Sequence, residues 1–99
     1  MTTMRTVDFA IYADTLAGEH AALAARREQA HSRLREAAIE RDARAHLPAE
    51  TVKELESLGV LGGVDERTAR AELHRLERAL DAVEQLQFWI ESRLELSAA

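Results

Sequence analysis

Eight positions between residues 69 and 94 (Ala69, Leu73, Leu76, Leu80, Val83, Gln87, Ile90 and Leu94) are spaced 4-3-4-3-4-3-4, and seven of them are apolar. Such spacing keeps one face of an α-helix apolar along its length and cannot be carried by a strand, whose faces alternate every residue. A heptad seam over this stretch predicts a long helix, from about 65 to 96, that must find a partner for that face. Leu86 and Trp89 widen the stripe beyond what a two-helix seam covers, so more than one neighbour is expected.

An answering stripe lies near the start of the chain. Phe9, Leu16, Leu23, Ala30 and Ala37 recur every seven residues, with Ala13, His20, Arg27, Leu34 and Arg41 between them. This face predicts a helix over about 7–45, with Thr6 as its N-cap, Asp8 near the positive end of the dipole and Gly18 as a weak point. Pro48 ends that segment and opens a short helix over 49–58, where Val52, Leu55 and Leu58 share a face and Gly59 is the natural left-handed cap. Val60 to Val64 read as a buried turn, and Asp65 as the cap of the last helix.

The expected fold is therefore all-α, one domain over residues 1–99. It is an antiparallel helical hairpin of two long helices with a short intervening helix. Folding it back at 48–64 brings Phe9 and Tyr12 to Phe88, Trp89 and Ile90, so that all four aromatic residues converge at the open end. With 19 alanines the core has little volume, and small domains of this kind often complete their core by association. Two chains forming a four-helix bundle is the economical completion. Gln87 and His20, polar on apolar stripes, either set register there or reach water at the stripe's edge.

Few kinds of chemistry have a carrier. The absence of cysteine excludes disulfides, thiolate metal sites and a cysteine nucleophile. No apolar run approaches the ~18 residues of a membrane span, and no signal-peptide pattern is visible, so a cytoplasmic location is the expectation. Serines and histidines fall at no catalytic spacing, and Gly59, Gly62 and Gly63 lack the strand and lysine of a phosphate loop. No enzymatic activity, cofactor or bound metal is expected. Glu28 and His31 form an E-x-x-H on one helix face, the unit of carboxylate metal sites in bundles, but Arg26, Arg27 and Arg33 surround it.

The net charge is −5. The arginines of residues 26–44 are interleaved with acids, the pattern of a solvated helix face rather than of a nucleic-acid footprint. The stretch GVDERTARAEL, Gly63 to Leu73, together with TVKELESLG before it, resembles the turn and recognition helix of repressor-type helix-turn-helix domains. That resemblance implies a DNA-binding regulator over 51–73, with Thr68, Ala69 and Arg70 opening the recognition helix and Leu73 packing. Gly62 departs from the pattern, which places a bulky apolar residue there. The segment IERDARAHLPAETVKELESLGVLGG is similar to the N-terminal helical region of acyl-CoA dehydrogenases over some 25 residues. No residue downstream matches the flavin, substrate or catalytic positions of that family, so no activity is carried over.

The function expected from the sequence is a non-enzymatic protein–protein interaction module: a small adaptor, assembly factor or regulator. It would act by homodimerisation or by docking on another protein, with nucleic acid an unlikely partner and no membrane. Its candidate interface is Leu73, Leu76, Leu80, Val83, Phe88, Trp89 and Ile90, with Phe88 and Trp89 as aromatic anchors. The alternatives are the helix-turn-helix regulator and a bundle-type carboxylate/histidine metal protein.

Overall fold

The structure, a computed structural model, describes residues 5–63 and 65–98. It contains three helices, α1 (Thr6–His46), α2 (Ala49–Ser57) and α3 (Glu66–Ala98), with no strand among the described residues. The two long helices pack against each other. Among the described residues no helix is long and apolar enough to cross a membrane. The expected boundaries, 7–45, 49–58 and 65–96, lie within two residues of those observed.

Both ends of α1 and α2 and the start of α3 are closed by local chemistry. The carbonyl of Arg5 accepts the backbone N–H groups of Asp8 and Phe9 at 3.0 and 3.3 Å. The Asp8 carboxylate in turn accepts the N–H of Arg5 at 3.1 Å. Arg5 is thus the N-cap, Thr6 is the first helical residue rather than the cap, and Asp8 supplies the returning half of a capping box. Gly18 does not interrupt α1, which runs unbroken through it. His46 Nδ1 lies 2.7 Å from the carbonyl oxygen of Asp42 at the helix end.

Pro48 is the N-cap of α2, in extended conformation, and its carbonyl accepts Val52 N–H at 3.0 Å. At the other end Gly59 takes φ +73°. Its N–H reaches the Glu56 carbonyl at 3.1 Å and that of Val60 reaches Leu55 at 2.9 Å. This pair of bonds is a Schellman motif, and the left-handed residue is the glycine expected there. Asp65 caps α3: its carboxylate accepts Arg67 N–H at 3.4 Å and Thr68 Oγ1–H at 3.1 Å.

The contacts gather into two compact units, Met1–Arg27 with Arg75–Ala99, and Glu28–His74. In the first, called unit 1, Leu16, Leu76, Leu80 and Ile90 are buried between α1 and α3. Phe9, Leu23, Val83, Leu86 and Gln87 flank them half-buried. The helices run antiparallel here, Phe9 lying against Trp89 and His20 against Glu84. The His20–Glu84 contact, 3.0 Å between Nε2 and Oε1, is partly exposed on both sides. His20 is thus partly exposed and paired across the two helices.

The second, unit 2, is antiparallel by the same criterion, with Arg33 near Glu72 (3.8 Å) and Arg41 near Glu66 (2.6 Å). Its buried side chains are Ala30, Ala37, Ala69 and Leu73. Alanine removes little area from water, so this core contributes little and polar links carry more of the unit's cohesion. Gly62 is held at both ends: its N–H donates to Glu40 Oε1 at 2.8 Å, and its carbonyl accepts Arg44 Nη2–H at 2.8 Å. The turn after α2 is not buried as expected. Val60 is exposed and Leu61 half-buried, and Val64 lies outside the described residues. No residue of α2 is buried.

Candidate interaction surface

The stripe on α3 divides sharply by face. Of the expected interface residues, Leu73, Leu76, Leu80 and Ile90 are buried within the chain and Val83 is half-buried. In the chain by itself these side chains face the interior. Phe88 and Trp89 remain outside, 72% and 46% exposed. The reason is angular. Two residues from Ile90 is about 160° around an α-helix, so a helix that points Ile90 at α1 must point Phe88 away from it.

The convergence of aromatics is therefore three of four. Phe9 and Trp89 meet edge to face, with centroids 6.0 Å apart and planes at 64°. This arrangement suits the ring quadrupoles. Tyr12 lines the same place from one turn further along α1. Together with Asp8 and Ile90 these three residues line a half-open cavity of about 300 Å³. Phe88 is not among the lining residues.

Trp89 also carries a cation: Arg93 Cζ lies 5.3 Å from its ring centroid. Residues 89 and 93 are i, i+4 on one helix, so that contact was readable from spacing alone. The hairpin reading also brought Phe9, Tyr12, Trp89 and Ile90 together, but not the space left between them or Asp8 at its border.

On α1, Val7 and Ile11 are 55% and 61% exposed, one turn apart on the same face. Unit 1 thus displays Val7, Ile11, Phe88 and Trp89 while its interior is closed by Leu16, Leu76, Leu80 and Ile90. A second exposed set, Ile39, Leu47, Leu58 and Val60, belongs to unit 2.

Several charged groups of unit 2 are tied to one another. Arg41 and Arg70 both reach Glu66, at 2.6 and 3.3 Å. Glu66, and secondarily Asp42, holds the Arg41 guanidinium above its already high ordinary pKa. Arg70, placed by the helix-turn-helix resemblance at the start of a recognition helix, is thus engaged with a carboxylate. The connection between α2 and α3 runs from 58 to 65, eight residues, where helix-turn-helix units use three or four. Among the described residues no group of three or more histidine, aspartate or glutamate side chains could hold a metal ion.

Compared with known proteins, the chain matches no family model, no curated protein and no solved structure.

Proposed function

We propose that this chain is a non-enzymatic protein–protein interaction module that works by self-association. Two copies would meet through the exposed apolar side chains of unit 1 and complete a four-helix bundle there. The observation that carries the reading is the exposure of Val7, Ile11, Phe88 and Trp89 around a core that is already closed. Side chains of this size outside a packed interior mark interaction sites more often than chance surface, and aromatic anchors supply most of the energy at interface centres.

The test is the solution mass by light scattering behind size exclusion, across about a tenfold range of concentration. A dimer in wild type that becomes a monomer in Phe88→Glu, with helicity unchanged by circular dichroism, supports the proposal. A monomer throughout the range overturns self-association. Because Phe88 makes up no part of the core, loss of helicity in that variant is not expected on any reading.

A further inference from the structure

Unit 1 carries an unfilled apolar hollow and, close by in the sequence, an apolar ring with nothing to fill. The cavity lined by Asp8, Phe9, Tyr12, Trp89 and Ile90 is half-open, and its wall is almost wholly apolar. Water finds few hydrogen-bond partners in such a hollow. Phe88 is 72% exposed and is not among the lining residues. On the premise of the self-association proposed above, we infer that the Phe88 ring of each copy enters the cavity of the other, about a two-fold axis running parallel to α3.

The placement of the two features on one helix selects that axis. Residues 88 and 89 are about 100° apart around α3 and only ~1.5 Å apart along it. Consider a contact centred between them. A two-fold axis parallel to the helix leaves every residue at its own height and turns the second copy by half a circle. Phe88 on one flank of the contact then stands opposite the other copy's Trp89, at nearly the same level. The relation is reciprocal, as an interface between identical patches requires. An axis perpendicular to the helix instead sets like flank against like, so that Phe88 meets Phe88 and both cavities stay unfilled. A hollow of about 300 Å³ has room for one phenyl ring.

Charge favours the same orientation. Glu91 lies three residues after Phe88, and residues at that spacing are neighbours on a helix surface. Arg93 stands over the Trp89 ring, its Cζ 5.3 Å from the centroid, without lining the cavity. Among the described residues neither Glu91 nor Arg93 has an ion-pair partner. One copy alone thus leaves a carboxylate beside the ring to be inserted and a guanidinium beside the cavity that receives it. With Phe88 seated, Glu91 of one copy comes to Arg93 of the other, once on each side of the axis. Asp8, the acid at the cavity's border, accepts the Arg5 backbone N–H at 3.1 Å.

The experiment uses the full chain with benzoylphenylalanine, a photo-cross-linking aromatic residue, in place of Phe88. It is mixed with unsubstituted chain labelled with a heavy nitrogen isotope and irradiated, and tryptic peptides joining the two kinds of chain are sequenced by mass spectrometry. The labelled peptide over residues 6–26 contains Phe9 and Tyr12, and that over 79–93 contains Phe88. Attachment to Phe9 or Tyr12 of the labelled chain is expected. Attachment confined to 79–93 overturns the insertion and leaves self-association standing, as does the absence of any joined product from a mixture that light scattering shows to be dimeric. Wild type that stays monomeric overturns self-association and the insertion together. A second test keeps Phe88 in place. Glu91→Arg should weaken the dimer roughly threefold, and Arg93→Glu added to the same chain should restore it. A double variant as weak as the single one overturns the orientation, because exchange of the two charges restores a pair that lies across the axis.

Discussion

Glu40 on α1 accepts the backbone N–H of Gly62, twenty-two residues later, at 2.8 Å in a partly buried setting. One turn further along the same helix, Arg44 donates to the carbonyl of the same glycine, also at 2.8 Å. A charged acceptor and a charged donor thus hold the turn that follows α2, in a unit whose buried side chains, among the described residues, are three alanines and one leucine. Charge-assisted hydrogen bonds of this kind are the stronger sort, and losing one leaves a backbone donor without its partner.

Removing that acceptor should therefore be felt. Glu40→Ala is expected to lower stability by about 1–2 kcal/mol in urea unfolding. Glu40→Gln keeps an oxygen in the same place and should recover more than half of the loss. If the two variants unfold alike, the bond to Gly62 contributes nothing.

Two glycines should respond with opposite signs. Gly18 lies inside α1, and a Cβ built there meets nothing within 4 Å, so Gly18→Ala removes backbone freedom from the unfolded chain at no steric cost. The expected gain is about 0.5–1 kcal/mol, raising Tm by roughly 4 °C. Gly59 has equally open surroundings but a φ of +73°. Gly59→Ala must hold a side chain in the left-handed region and should lower stability by about 1 kcal/mol. Thermal melts of the two variants side by side check both signs.

Neighbouring positions on α3 should separate core from surface. Ile90 is 2% exposed and Phe88 is 72% exposed. Ile90→Ala should cost about 2–4 kcal/mol through lost burial and the cavity left behind. Phe88→Ala should leave the unfolding free energy of the monomer within ~0.5 kcal/mol of wild type, as surface changes usually do. A similar loss from both would mean that Phe88 packs against the chain.

Trp89 should be only partly open to a neutral quencher such as acrylamide, because Phe9 meets its ring and Arg93 stands over it. Phe9→Ala and Arg93→Ala should each steepen the quenching slope. An unchanged slope in both would show that neither residue shields the indole in solution.

Much of the architecture could be read from residues close together in the chain. The spacing of Leu73, Leu76, Leu80 and Ile90 identified the face of α3 that is buried, because a helix returns the same face every three or four residues whatever lies opposite it. Gly59 was legible as a left-handed cap and Asp65 as an N-cap for a related reason. Their bonds reach Glu56 on one side and Arg67 and Thr68 on the other, all within a turn. The start of α1 was misjudged by one residue, since Thr6 and Arg5 compete for the same capping role and Asp8, three residues on, settles it in favour of Arg5.

What lies between helices was not legible in this way. Periodicity says that Phe9 and Trp89 each belong to an inward stripe. It does not say that their rings meet at 64°, that Tyr12 and Asp8 border the space beside them, or that Phe88 is left out. The bond from Glu40 to Gly62 has no sequence signature either, because it joins a helical carboxylate to a turn whose position depends on the whole α2 segment. Hydrogen bonds and side-chain spacing within one turn are short-range, so the amino-acid sequence by itself determined three helices, their ends to within two residues and the buried faces of the two long ones. Which side chains share a cavity and which stay in water depends on register across helices distant in sequence, and only the tertiary structure decided that.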